Sequence, residues 1–196
     1  VACGAANSAR LLLASANDKH PNGLANGSDM VGRHYMFHNS AAVLALSEEE
    51  NPTVYQKTLG INDFYFAGKE FDYPLGNIQM VGKSQAPMFR GERPIETLLA
   101  PMWSLDWIAR HAVDFWLTTE DLPAPDNRVT LGRDDRLTLA YTPNNQVPKK
   151  QLYEKLKSML GRLGMKTDHL LPRHAYLKND ISVAGVAHQA STCRFG

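Results

Sequence analysis

The order in which strand-like and helix-like segments follow one another is the feature that most constrains the fold. Strand-like runs occupy residues 41–81, a helical pattern follows at 94–113, strand-like runs return at 115–141, and a second helical pattern spans 149–163. Runs of strands separated by single helices are typical of α+β domains. The order therefore predicts an α+β fold with one antiparallel sheet, in which some mixed pairing is allowed, covered by helices on one face.

The strand-like segments are short runs of aliphatic, β-branched and aromatic residues bounded by turn residues. They fall at residues 41–46, 53–67, 77–81, 115–123, 127–131, 136–141 and 181–187. The aromatic residues of 53–67 are predicted to pack in the core, and an apolar substrate pocket lined by them is the alternative. We expect the antiparallel sheet to begin near Ser40.

Two segments have the apolar spacing of amphipathic helices. Residues 94–113 include Trp103 and Trp107 and are interrupted by Pro101. Their apolar face is predicted to pack on the sheet, with contact to a membrane or a lipid-like substrate as the alternative. Residues 149–163 have leucines on one side, so their lysines are predicted to face solvent. No apolar run is long enough to span a bilayer, no signal-peptide pattern occurs at the start, and the compartment stays open.

The chain begins with Val1-Ala2-Cys3-Gly4, followed by a run of good helix formers. This pattern predicts the end of a buried strand, a glycine turn and then a helix. Such a turn can hold a nucleotide phosphate at the helix N-terminus, or it can be a tight turn in any α/β unit, and the residues leave both open. Because no initiator Met precedes Val1, we expect the chain to be a piece of a longer polypeptide.

Charge and metal-ligand spacing exclude several classes of function. The formal net charge of +1 does not supply the basic stripe that nucleic acid binding requires. Cys3 and Cys193 lie near opposite ends of the chain without a metal-binding spacing. His34 and His38 have the i, i+4 spacing of a helical metal site, but no third ligand stands at a recognised spacing. We therefore expect no metal site and no nucleic acid partner.

The end of the chain carries a histidine in an unusual setting. Small residues at 183–187 precede His188, and small or hydroxyl-bearing residues follow it, so this backbone can pack closely against a flat group. A histidine after an apolar strand is either a hydrogen-bonded core residue or a proton-transfer group. The residues by themselves leave both possibilities open.

This C-terminal segment resembles the glucose-methanol-choline (GMC) oxidoreductases, flavoenzymes that oxidise alcohols. His188-Gln-Ala-Ser-Thr-Cys-Arg-Phe-Gly196 is similar to the family's His-x-x-Gly-Thr-x-(Arg)-(Met/Phe)-Gly, with Ser191 in place of the usual Gly. The segment from Gly4 through Ser8 to Ser15 is similar to the second family signature, Gly-(Ala/Ser)-x-x-Ser-Pro-x-Leu-Leu-x-x-Ser. Ala9 replaces its Pro, and the glycine-bearing end of the signature is lost.

Two further motifs that resemble the family lie between these segments, and they occur in the same order as in the family. The run from Val31 to His38 resembles Val-Gly-Arg-Asn-Leu-x-Asp-His, where the family chain leaves the flavin-binding domain. The run from Glu120 to Leu131 resembles Glu-x-x-Pro-x-x-x-Asn-Arg-Val-x-Leu of the substrate domain. Adjacent carboxylates on a strand point to opposite faces, so Glu120 and Asp121 are predicted to be structural rather than an acid/base pair.

The resemblance implies a domain organisation and a cofactor. Residues 1–39 correspond to the end of an FAD-binding domain, 40–187 to a substrate domain, and 188–196 to the start of a truncated flavin-contacting segment. The implied parent is an FAD-dependent, choline-dehydrogenase-like enzyme acting on a small-molecule alcohol. Because no Gly-x-Gly-x-x-Gly is present to hold the FAD pyrophosphate, we expect this chain alone to bind FAD weakly or not at all.

The resemblance also implies roles for individual residues. His188 matches the family histidine beside the flavin, which assists removal of the alcohol proton while hydride passes to the flavin. The residues expected to contact FAD are Cys3, Gly4, Ser8, Ala190 and Thr192. The alternative is a non-catalytic module, either a substrate-domain fragment or a binding domain without a cofactor.

Overall fold

The computed structural model describes residues 2–67, 69–165 and 175–194, with the side chains of 175 and 176 left out. The helices of this part of the chain are α1 (Gly4–Ala14), α2 (Ala86–Glu92), α3 (Met102–His111) and α4 (Gln146–Arg162). The strands are β1 (Asn39–Leu46), β2 (Gly60–Ile61), β3 (Asn77–Met80), β4 (Ala112–Thr119), β5 (Arg128–Leu131), β6 (Leu137–Ala140) and β7 (Ala175–Asp180).

Five of the strands form one sheet in the order β2-β3-β4-β1-β7. β3 pairs antiparallel with β2 and β4, and β1 pairs antiparallel with β7. The backbone N–H of Ser47, just after β1, donates to the carbonyl of His111, just before β4, at 3.2 Å. The predicted α+β fold with an antiparallel sheet is therefore confirmed. The expectation that helices cover one face is wrong, because α4 packs on the side of Val43 whereas α2 and α3 line a cavity with Ala42 and Leu44 on the other side.

The alternation of side-chain direction along β1 explains which of its residues are in the core. Ala41, Val43 and Ala45 of β1 are buried on the same side of the strand, because successive side chains point to opposite faces. They share a core cluster with Leu152 and Leu156 of α4, which are four residues apart and so lie on one face of the helix. Complete burial of each such leucine contributes roughly 2–3 kcal/mol.

The described residues fall into two compact units. Unit 1 consists of Val1–Asn39, Glu120–Gln146 and Ser182–Gly196, and it contains α1 and the β5–β6 hairpin. Unit 2 consists of Ser40–Thr119 and Val147–Ile181, and it contains the five-stranded sheet with α2, α3 and most of α4.

Within unit 1, one glycine permits a close backbone approach. Gly32 has φ of +87°, and the backbone N–H of Val129 donates to its carbonyl at 2.8 Å. A Cβ at this position would lie 2.2 Å from the Val129 carbonyl oxygen. Only glycine therefore fits where this loop meets β5.

Several predicted segments differ from the structure. Of residues 53–67, only Gly60–Ile61 forms a strand, and Val54 and Phe66 are 91% and 80% exposed, so most of this run is not core. The buried side chain of this segment is Gln56, whose amide donates to the carboxylate of Asp114, and the exposed aromatic side chains do not alternate as they would along a strand. The helical pattern at 94–113 produces a helix only after Pro101, which has extended backbone and is the N-cap of α3.

Two further differences concern strands. β5 and β6 pair only with each other in a separate two-stranded sheet, rather than in one common sheet. The strand predicted at 181–187 is wrong, because β7 ends at Asp180 and Val183–Gly185 forms a 3-10 turn. The strand predicted before Gly4 falls on Val1, which lies outside the described residues, and on Ala2 and Cys3, which have no strand assignment.

Candidate functional site

The C-terminal segment is held in place by backbone hydrogen bonds within unit 1. Met36 and Ala190 exchange two bonds, with N–O distances of 3.2 and 2.9 Å. The backbone N–H of Gly32 donates to the carbonyl of Thr192 at 2.7 Å. These bonds fix the segment after His188 against the loop that precedes β1.

Thr192 ties the C-terminal segment to α1. Its side chain is 1% exposed, and its hydroxyl donates to the carbonyl of Ala5 at 2.7 Å. The hydroxyl therefore already has a hydrogen-bond partner within the protein. The backbone around it borders the cavity described next. Phe195 and Gly196, the end of the family-like motif, lie outside the described residues.

A cavity of about 380 Å³ lies at the N-terminus of α1. Its walls come from the first turns of α1 and from the C-terminal segment, and they include Gly4, Ser8, Ala190 and Thr192. These four residues were predicted to contact a cofactor, and they come from opposite ends of the chain. Of the other predicted site residues, Cys3 is the exposed N-cap of α1, and His188 is not among the residues that line the cavity.

The electrostatics of this cavity favour an anionic group. The N-cap residue Cys3 makes no side-chain hydrogen bond to α1, and the first turn of the helix carries no acidic residue. The free amides and the positive end of the helix dipole therefore border the cavity. Arg194 adds a cationic side chain to the lining.

Ser191 has a backbone conformation that few L-residues adopt. Its φ is +78°, in the left-handed region where glycine is favoured. This is the position at which the family-like motif normally has Gly. Glycine would adopt this turn without strain, whereas Ser191 adopts it at a conformational cost.

The rings of His38 and His188 form an edge-to-face pair. Their centroids are 5.1 Å apart and the ring planes meet at 85°. His188 is exposed, whereas His38 is half-buried. Burial lowers the pKa of His38, and the nearby His188 lowers this pKa further. His38 therefore favours the neutral form.

The contact between His38 and His188 was not predicted from the sequence. The two histidines meet because the Met36–Ala190 bridge brings their segments together, which spacing along the chain does not show. The sequence feature that could have drawn attention to His38 is the run from Val31 to His38, which resembles a family motif. No catalytic role was assigned to this run. His169 and His174 lie outside the described residues.

His34 does not share a helix face with His38. Its φ is +59°, and the segment around it is not helical. Its Nδ1 atom is buried without a hydrogen-bond partner among the described residues. Desolvation lowers the pKa of His34, with smaller effects from Arg194 and Arg33. Within the part of the chain that is described, no group of three or more His, Cys, Asp or Glu residues is placed to hold a metal ion.

Glu120 and Asp121 occupy different environments. Glu120 is exposed, whereas Asp121 is 8% exposed and accepts a 2.9 Å hydrogen bond from the hydroxyl of Tyr141. Burial raises the pKa of Asp121, although the bonds from Tyr141 and from the backbone N–H of Phe37 oppose this shift. The two carboxylates therefore do not share a proton site.

The chain is similar in sequence to part of a dehydrogenase subunit. No known family model matches the sequence. Among the described residues, no helix is long and apolar enough to cross a membrane.

That relative is the fructose dehydrogenase large subunit of Gluconobacter japonicus. The two sequences are 29% identical over 142 residues, which is 68% of this chain and 25% of the relative. The chain thus spans about a quarter of the relative's length. The similarity supports a relationship to dehydrogenase-type oxidoreductases.

Proposed function

We propose that this chain belongs to an FAD-dependent oxidoreductase of the GMC type, which oxidises a small-molecule alcohol. The observation that carries the proposal is the shared cavity lined by Gly4, Ser8, Ala190 and Thr192. Two segments that resemble separate family motifs meet there, although they lie at opposite ends of the sequence. The similarity to a fructose dehydrogenase subunit supports the same class of reaction.

The residues around the cavity fit part of an FAD molecule. Gly4 has φ of +79°, and a Cβ placed on it would meet nothing within 4 Å, so space lies beside this backbone. Ala5 and Ala190 also present little side-chain bulk. The free amides of α1 and the guanidinium of Arg194 suit a phosphate, while the small residues allow a flat ring to approach. Bound FAD would supply the hydride acceptor for alcohol oxidation.

His188 is the proposed general base. A ring nitrogen of its exposed imidazole is accessible to a substrate hydroxyl and can take the proton from it. His38 is the proposed positioning residue, because its edge-to-face contact restricts the orientation of the His188 ring. The lowered pKa of His38 keeps this neighbour neutral, which limits charge repulsion when His188 gains a proton.

Two measurements test the proposal. The parent protein should be yellow when purified, with a flavin absorbance band, and it should reduce an artificial electron acceptor when an alcohol is added. Chain 1–196 alone should bind FAD weakly or not at all, because it contains no Gly-x-Gly-x-x-Gly. A colourless parent without alcohol-dependent reduction would reject the enzyme assignment, and stoichiometric FAD in the isolated chain would reject the weak-binding prediction.

A non-catalytic module is the second candidate, and Ser191 favours it. A residue with a side chain stands in a left-handed turn where the family has glycine, beside the proposed cofactor cavity. If the parent protein holds no flavin but Ser191→Gly restores flavin binding, the chain derives from a flavoprotein that has lost its cofactor. If neither protein holds flavin, the module is unrelated to flavin chemistry.

A further inference from the structure

Unit 2 contains a second and larger cavity, with a volume of about 630 Å³. It lies between residues of β1, β4 and β7 on one side and residues of α2 and α3 on the other. Ala42 and Leu44 of β1 line it, and they pair in register with Asn179 and Leu177 of β7. Paired residues point to the same face of a sheet, so the cavity is bounded by the face opposite to that of Val43.

The floor of this cavity is apolar and shielded from water. Leu105 is 4% exposed, and Phe89, Ile108 and Trp116 are half-buried around it. The volume lies within the range of about 300–1,000 Å³ that is typical of small-molecule sites. A ligand placed there would remove ring and aliphatic surface from water, which stabilises the complex.

Most charged groups at the margin are engaged with protein partners, and Glu92, which also lines the cavity, is exposed to solvent. Arg93 forms an ion pair with Glu96 at 2.8 Å and also donates to Asn179. Lys178 contacts Asp180 at 2.6 Å. Each of these cations therefore already has a carboxylate or amide partner. Lys178 pairs in register with Val43, so its contact with Asp180 lies on the face opposite to the cavity.

Two further charged side chains in the lining are likewise bonded. Lys83 donates to the carbonyl of Asn51 at 2.6 Å and to that of Arg110 at 3.3 Å. Asp114 is 2% exposed and accepts bonds from Gln56, at 2.6 Å, and from Ser84. An ionic ligand would have to break one of these contacts and lose its own hydration, which is costly in an apolar cavity.

From these observations we propose that the cavity of unit 2 is a binding site for an uncharged small molecule with an apolar ring or chain. The site lies wholly within unit 2 and does not depend on the reaction proposed for His188. Failure of either proposal would therefore leave the other unaffected.

N-phenyl-1-naphthylamine, an uncharged dye that fluoresces in apolar surroundings, is a suitable probe for chain 1–196. We expect saturable binding at one site per chain. 1-Decanol should displace the dye at a concentration about tenfold lower than decanoate or decylammonium, because transfer of either charge from water into an apolar cavity is costly. Displacement by either ion at equal or lower concentration would overturn the proposal, as would the absence of saturable binding.

Cavity-filling variants locate the bound dye. Ala42→Phe should weaken dye binding by about tenfold or more because its ring occupies the space of the ligand. Ile108→Trp fills the same cavity from α3 and should also weaken dye binding. It replaces Ala42→Phe as the test if that variant does not fold. The matched control Ala140→Phe adds the same ring to an exposed position on β6 and should leave binding unchanged.

A second control excludes the exposed apolar surface near α3. Leu99 is 93% exposed and does not line the cavity. Leu99→Ser should therefore keep dye affinity within about twofold, in the range of typical surface changes. If Leu99→Ser removed binding while Ala42→Phe and Ile108→Trp preserved it, the dye would sit on that surface and the cavity assignment would be wrong.

Discussion

The imidazoles of His38 and His188 lie edge to face with their centroids 5.1 Å apart. One ring is half-buried just before β1, and the other is exposed after the 3-10 turn Val183–Gly185. The backbone bridge between Met36 and Ala190 holds the two segments together. The pair therefore places an exposed imidazole against a half-buried one.

Replacement of His188 by alanine should lower alcohol turnover of the parent protein by about 10²-fold or more, the usual effect of losing a general base. Flavin content should remain nearly unchanged, because His188 does not line the cavity at α1. Steady-state kinetics and the flavin-to-protein absorbance ratio measure both effects. His20→Ala, at an exposed position, is the matched control. Near-normal turnover of the His188 variant would remove the catalytic assignment.

The stability of the isolated chain should decrease as the pH falls below about 6.5, the usual histidine pKa. Burial lowers the pKa of His38 and of His34 in the folded state, so the unfolded chain takes up protons first. The stabilising effect of the neutral rings is thus complete above this pH and is lost as pH falls through the folded-state pKa values.

Urea unfolding of the wild type and of His38→Phe at pH 7 and 5.5 tests this dependence. The variant keeps a ring but cannot titrate, so its loss of stability between the two pH values should be smaller than that of the wild type. The exposed His20→Phe supplies the comparison. An equal loss in His38→Phe and wild type would show that the pKa of His38 does not contribute.

Ser191→Gly should stabilise the chain by about 0.5–1 kcal/mol, because glycine adopts a φ of +78° without the strain of a side chain. Thermal unfolding measures the change. Ser182→Gly makes the same replacement at φ of −71°, where glycine has no such advantage and should be neutral or destabilising. If both variants shifted the midpoint equally, backbone strain at Ser191 would not be the cause.

Gly32→Ala should destabilise unit 1 by about 3 kcal/mol or more, since a positive φ and a backbone clash act together. The added Cβ would lie 2.2 Å from the carbonyl oxygen of Val129. Gly60→Ala is the control, because a Cβ there meets nothing within 4 Å. Denaturant midpoints of the two variants should therefore differ clearly, and equal midpoints would contradict the close approach.

Thr192→Val should reduce stability by about 1 kcal/mol through loss of the hydrogen bond to Ala5, whereas Thr192→Ser should retain most of that bond. Thermal unfolding compares the two variants. The flavin content of the parent should change little in either, because the hydroxyl is committed to α1. Loss of flavin in Thr192→Val at unaltered stability would instead assign the hydroxyl to the cofactor.

Local patterns in the sequence predicted the elements whose side chains alternate or repeat regularly. Leu152, Leu156 and Leu160 are four residues apart and are buried on one face of α4. Ala41, Val43 and Ala45 alternate and form the buried side of β1. That regularity is absent at residues 53–67. The prediction that the aromatic residues of this segment pack in the core was wrong, because most of them are exposed.

The sequence by itself determined the α+β class, the helix α4 and the family-like segments at the two ends, because each depends on residues close together in the chain. Only the tertiary structure decided that Gly4 and Ala190 border one cavity and that His38 contacts His188. The separation of the β5–β6 hairpin from the main sheet was decided in the same way. Such contacts depend on which backbone groups, distant in the chain, form hydrogen bonds with each other. The spacing of residues along the chain does not indicate that pairing.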